Sequence, residues 1–401
     1  MFYHFTATYI HGFSGILYKC FDVGWCGVDL FFVLSGFLIT GILFDAKNGP
    51  HYFQAFYMRR VLRIFPLYYG FLFVLFVLVP LVHRFSPLIR HYMTEQVWLW
   101  SYLTNFDYCL SPHPLIAKFH LAHFWSLAVE EQFYLIWPAV ILLFQPKTVI
   151  RICLFCIGGA LLGRLLLIAD HANPATIFNL TPCRMDSLAA GALCALLVRV
   201  NLSTLKLVKV ARFITVFSGV GLLCVLACRG GSNADNPIMH SVGYTFLALF
   251  FAGILLLAVD PSQDNVLTWF LRCPLLVLFG FYSYAIYVFH YPLVHVFNRW
   301  FSVDLLSRDL HSRLLGLGVH VLCSVFVSLF IAMLSWNFYE RHFLKLKKYF
   351  VLSARNTVPK QARSQVKADR SLRLGFRQVA KELAVWFRQS PVLKKADLVA
   401  A

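Results

Sequence analysis

Two adjacent carboxylates, Glu130 and Glu131, sit in the stretch WSLAVEEQFY at 125–134, inside an otherwise apolar run from 124 to 144 long enough to cross a bilayer. A charge in hydrocarbon costs about 2.5–3.5 kcal/mol on insertion scales, so one is kept there mainly when it has a partner or a task. Neighbouring helix residues point about 100° apart, so the two acids cannot serve one site equally. The chemistry to look for therefore lies within the membrane and faces inward.

Other polar residues in apolar runs extend the set. In GVDLFFVLSGFLIT at 27–40, Asp29 shares a helix face with Phe32, Val33 and Gly36, and Gly36 lets another backbone approach. Asp29 is then either a packing aspartate near a span end or a functional acid. In FYMRRVLRIFP at 56–66, Arg60 and Arg63 are three apart and so neighbours on a helix surface. With Arg59 they could clamp phosphates bidentately, or simply anchor the span end. In FYSYAIYVFHYP at 281–292, Ser283, Tyr287 and His290 fall on one face, as a hydrogen-bonded chain in the bundle interior or as inter-helix glue. Arg184, Leu188 and Gly191 share a face while Asp186 points elsewhere. His120 and His123 rank below His290, because lone histidines near membrane interfaces are usually structural. His4, between aromatics, says little alone.

The elements that must position these groups are membrane helices. Of 401 residues 59% are hydrophobic and 13% charged, with 40 Phe and 18 Tyr, more apolar surface than a water-soluble domain needs. The expected fold is all-α, a polytopic membrane helix bundle. Spans are predicted at 24–44, 61–82, 124–144, 148–169, 184–198, 211–228, 240–258, 276–296 and 315–338, and 1–18 reads as the end of a further helix. The segment 94–106 is ambiguous, short and polar for a span; if it crossed fully the later basic loops would swap sides, but it is read as re-entrant or interfacial. The clusters Lys47/Arg59/Arg60/Arg63, Lys147/Arg151, Arg199/Lys206/Lys209/Arg212 and the residues after Arg341 then fall on one side, which the positive-inside rule makes cytoplasmic. That gives about ten spans with the first truncated and both termini inside.

The expected division is a membrane core at 1–340 and a basic cytoplasmic tail at 341–401. From Arg341 onward fifteen Lys/Arg stand against three acids, Asp369, Glu382 and Asp397, giving +12 of the formal +18. Leu372, Phe376, Val379, Leu383 and Trp386 recur at helical spacing among basic residues, as an interfacial amphipathic helix resting on anionic lipid would. The tail is read as a partner of membrane lipids, with no nucleic acid. The eleven cysteines show no pairing pattern with histidines, so neither zinc nor a disulfide framework is expected.

Taken in order, these segments resemble the membrane acyltransferase family 3, bacterial O-acyltransferases of surface and secreted glycans. The resemblance is carried by GVDLFFVLSGFLIT, FYMRRVLRIFP, FWSLAVEEQFY, Arg184-Met185-Asp186 with Gly191, SYAIYVFH, and SWNFYERHF with Glu340. It covers His4 to about Glu340 and implies a ten-span core in the bacterial cytoplasmic membrane, in agreement with the charge-based count. It implies transfer of an acyl group, commonly acetyl, from cytoplasmic acyl-CoA as co-substrate to a glycan hydroxyl outside, with no bound cofactor and no metal. His4 resembles the family's first-span catalytic histidine, and Arg60 and Arg63 its arginine motif for CoA phosphates. Glu130 resembles the glutamate that follows the motif of Trp125 and Ser126, orienting a catalytic group; Glu131 is outside that pattern. Ser283, Tyr284, Tyr287 and His290 match its late span, with His290 counted catalytic; Asp29, Arg184 and Asp186 support. A basic residue expected about three turns before the first-span histidine is absent, since only three residues precede His4. The expectation is a start assigned too far downstream, the alternative being an inactive truncated copy. The competing function is a glycan or lipid-linked sugar transporter or flippase.

Overall fold

A computed structural model describes residues 1–10, 23–82, 96–110, 121–200, 204–229, 236–259 and 266–350, and the described residues contain helices and no strand. The chain divides into two compact units, Met1–Lys47 with His51–Leu352, and Asn48–Pro50 with Ser353–Ala401. His120 and the predicted tail helix at 372–386 lie outside the described residues, as does most of the second unit.

The principal helices are α1 (Phe2–Ile10), α2 (Gly27–Ala46), α3 (Tyr52–Phe73), α4 (Phe124–Leu143), α5 (Pro146–Ala169), α6 (Thr181–Arg199), α7 (Thr204–Arg229), α8 (Tyr244–Val259), α9 (Pro274–Phe281), α10 (Ser283–Trp300) and α11 (Arg313–Ser335). Among the described residues eight helices are long and apolar enough to cross a membrane, or nine if α9 and α10 make one span. Their outer faces carry Leu135, Phe155, Phe213 and Leu322, each at least two-thirds exposed. In water such a surface would aggregate; in a bilayer it is the lipid-facing side. This is a multi-pass helical membrane protein.

Two ion pairs set α2 beside α6. Asp29 pairs with Arg184 at 2.7 Å, and Asp45 with Arg199 at 2.8 Å. Between these pairs, a Cβ added at Gly36 would strike the carbonyl of Leu188, and one at Gly191 the carbonyl of Val33. Both numbers ascend together, so the helices run parallel, with glycine faces in backbone contact. The expectation for Gly36, and for a shared Arg184–Leu188–Gly191 face, holds.

Helix α4 is also parallel to α2. Phe32 meets Trp125, Thr40 accepts from Trp137 Nε1 at 2.7 Å, and Lys47 Nζ donates to the carbonyl of Phe144 at 2.7 Å. Helix α3 runs the other way: Tyr52 donates to the carbonyl of Pro138 and Tyr57 to that of Leu135, while Phe71 meets Phe124. So α3 ends and α4 begins at the same end of the bundle. The intervening residues 96–110 hold only the short helices Val97–Trp100 and Thr104–Leu110, which agrees with a segment that does not span.

The predicted span 276–296 requires correction. Tyr282 interrupts it, and α9 and α10 meet at 76°. Hydropathy registers an apolar run but not a bend within it. The break places Ser283 at the first position of α10, where it is exposed. Ser283 therefore does not share the buried face of Tyr287 and His290.

Candidate active site

Helices α1, α4 and α10 bring three histidines together. The ring of His4 lies 5.3 Å from that of His290 and 4.4 Å from that of Tyr291, centre to centre. His123, immediately before α4, lies 5.2 Å from His290, 5.4 Å from Tyr291 and 4.9 Å from Tyr287. His123 and His290 are buried.

The state of His290 follows from its contacts. Its Nδ1 lies 3.0 Å from the carbonyl of Ile286 and 2.8 Å from that of Tyr287. A carbonyl only accepts, so in the neutral ring Nδ1 carries the proton and Nε2 holds the lone pair. Nε2 has no hydrogen-bond partner. A buried imidazole with its tautomer fixed and its basic nitrogen unoccupied is equipped to take a proton from a hydroxyl.

The motif residues Ser126 and Tyr287 converge on one atom, the main-chain carbonyl oxygen of His123. Tyr287 donates to it at 2.6 Å, Ser126 Oγ at 3.1 Å, and the Ser126 amide at 3.2 Å. Their own hydroxyls are 3.1 Å apart. They hold the first turn of α4 against α10.

Glu130 is buried at 3% exposure, seven residues and about 10 Å of helix beyond His123. Its carboxylate accepts from Ser35 and Tyr134. The Tyr134 ring lies 5.6 Å from the Arg60 guanidinium carbon. Glu130 thus belongs with the arginines rather than with the histidines. Glu131, on another face, is only partly buried. Arg63 lies 5.8 Å from the rings of both Tyr284 and Trp336, and Tyr284 donates to the carbonyl of Ile64 at 2.7 Å. The polar interior therefore has two stations along the membrane normal, histidines at one level and an acid with arginines nearer the basic end.

Asp29 and Arg184 form a fully buried pair, with Ser187 donating to the same carboxylate at 2.8 Å. Arg184 is walled by Tyr244, Phe178 and Trp125. Asp186 turns away, as expected, and pairs with Arg164 at 2.8 Å, also fully buried. These two pairs brace α2, α5 and α6 behind the histidines.

Sequence reasoning ranked His123 below His290 as a structural histidine and did not single out Arg164. Arg164 could have been found as a lone cation in the middle of an apolar span. The higher standing of His123 could not be read, since its histidine neighbours come from segments more than 100 residues away in either direction. Among the described residues no group of three or more His, Cys, Asp or Glu is placed to hold a metal ion, despite the three clustered imidazoles.

The fold and this interior define a polytopic membrane protein whose polar groups are gathered inside the bundle at two depths. The chain belongs to the membrane acyltransferase family 3: the profile described as an acyltransferase domain matches residues 1–337. It is similar to the peptidoglycan O-acetyltransferase OatA of Listeria monocytogenes, 28% identical over 286 residues, which cover 68% of this chain and 45% of that protein. It is similar to YrhL of Bacillus subtilis, 30% identical over 340 residues, covering 79% and 50%. The O-acetyltransferase OatA of Staphylococcus aureus is 28% identical over 317 residues, covering 75% and 49%. The chain thus spans about half the length of these curated relatives. No solved structure matches it.

Proposed function

We propose that the protein is an O-acyltransferase of the bacterial cytoplasmic membrane that moves an acyl group, commonly acetyl, onto a hydroxyl of a cell-surface or secreted glycan. Peptidoglycan is the acceptor class that the names of its relatives supply. The observation that carries the reading is His290, whose Nδ1 is tied to the backbone while Nε2 makes no hydrogen bond, in a ring 5.3 Å from that of His4 centre to centre.

In this reading the donor is an acyl-CoA entering from the basic end. Arg60 and Arg63 hold its phosphates, while Glu130 with Ser35 and Tyr134 fixes the position of Arg60. The acceptor enters from the other end. His290 Nε2 takes the hydroxyl proton, the oxygen attacks the acyl carbon, the thioester C–S bond breaks, and the thiolate receives the proton. His4, against both His290 and Tyr291, shapes the place where the hydroxyl sits.

Purified full-length protein in liposomes, given labelled acetyl-CoA and peptidoglycan fragments, tests this. Label appearing as an alkali-labile ester supports it. Label transfer from another activated acetyl carrier but not from acetyl-CoA would keep the acyltransferase and replace the donor. Movement of unmodified glycan across the bilayer would favour the transport reading.

A further inference from the structure

His123 has no part in the steps above, yet its surroundings are specific. The side chain is 6% exposed; among the described residues neither ring nitrogen makes a hydrogen bond of ordinary geometry, and the ring has one weak contact with the main chain of Val288. Its own main-chain carbonyl, by contrast, receives three donors. Leaving a buried polar ring so weakly paired is unfavourable unless the ring meets a group that arrives with the substrate. The ring lies against those of His290, Tyr287 and Tyr291, in the cluster that holds His4.

Its place on the helix decides which form is useful. His123 is the N-cap of α4, a helix of 20 residues whose aligned peptide dipoles put positive potential at that end. An imidazolium there would face that potential and two further imidazoles. A neutral ring avoids both, and it still has one N–H to donate. A negative charge developing beside it is favoured by the donor and by the helix end together.

We propose that His123 is a further catalytic residue, whose N–H binds the oxyanion that forms on the acyl carbonyl while His290 accepts the proton of the acceptor hydroxyl. The inference rests on the acyl-transfer reading above. As the acceptor oxygen bonds to the acyl carbon, the carbonyl π pair moves onto oxygen and is held by the His123 N–H, which keeps its proton. When the carbonyl re-forms, the thioester C–S bond breaks and His290 returns the proton to the thiolate. Ser126 and Tyr287 are positioning residues that act through the His123 main chain.

The test compares His123→Ala, His123→Asn and His123→Gln in full-length protein, with thermal unfolding measured on each. His123→Ala should lower kcat by about 10²–10³-fold with KM for the acyl donor little changed. One of the two amide variants, which keep an N–H near one or the other ring nitrogen, should recover at least about tenfold of that loss. A His123→Ala protein with near wild-type kcat overturns the proposal. So do amide variants no better than alanine in a protein of unchanged stability. Should His123→Ala fail to fold, both amide variants falling about 10³-fold or more below wild type would overturn it equally. A wild-type protein inactive with every donor would instead remove the acyl-transfer reading and this inference with it.

Discussion

The phenol of Tyr287 donates a 2.6 Å hydrogen bond to the main-chain carbonyl of His123, joining α10 to the first turn of α4 across 164 positions of sequence. The bond does not touch a ring nitrogen. It fixes the peptide from which the His123 ring projects, and Ser126 adds two further donors to the same oxygen.

That redundancy has a kinetic signature. Tyr287→Phe or Ser126→Ala alone leaves the carbonyl partnered, and each should lower kcat by no more than about tenfold and stability by about 1 kcal/mol. The double variant leaves the Ser126 amide as the single donor and should lose more than the product of the two single effects. A double-mutant cycle on kcat measures this, and strict additivity would count against the shared role.

The two acids of α2 should behave oppositely. Asp29→Ala strands Arg184 in a fully buried place, at a cost of about 3–5 kcal/mol. Asp45→Ala breaks a pair whose side chains are 50% and 26% exposed, and should cost about 1 kcal/mol or less. Thermal unfolding in detergent distinguishes them; equal effects would contradict the assignment of Asp29 to a buried brace.

Gly36→Ala and Gly191→Ala each drive a methyl group into the backbone of the facing helix and should destabilise by about 1–3 kcal/mol. Gly158→Ala on α5 meets nothing within 4 Å and should be neutral or slightly stabilising. The same unfolding assay reads all three, and a stable Gly36→Ala protein would show that α2 and α6 are not in backbone contact.

Arg60→Ala combined with Arg63→Ala should raise KM for acyl-CoA by roughly 100-fold or more, since hydrogen bonds to charged groups contribute about 1.5–3 kcal/mol each. An acyl-pantetheine donor, which lacks the nucleotide and its phosphates, should serve the double variant as well as the wild type. Equal loss with both donors would assign the arginines to the bundle rather than to phosphate.

Much of this arrangement was legible in the sequence. Span positions follow from apolar runs, and Gly36 facing a backbone follows from helical spacing. The parallel order of α2, α4 and α6 matches the basic-loop count, because both depend on 94–106 not crossing. The divergence of Arg184 and Asp186 was also readable. What stayed hidden needed three dimensions. The bend at Tyr282 leaves hydropathy unchanged, so Ser283 looked like part of an interior stripe that in fact begins at Tyr287. Glu130 was expected to orient a catalytic group, because spacing along a chain does not report depth between helices. His123 looked like an ordinary interfacial histidine until α1 and α10 were placed beside it.

The most direct measurement is alkali-labile transfer of labelled acetyl to peptidoglycan fragments by full-length protein, run beside His290→Ala and His4→Ala. The account predicts ester on the glycan with wild type, no transfer by His290→Ala, and loss of transfer by His4→Ala. Undiminished transfer by His290→Ala would contradict it.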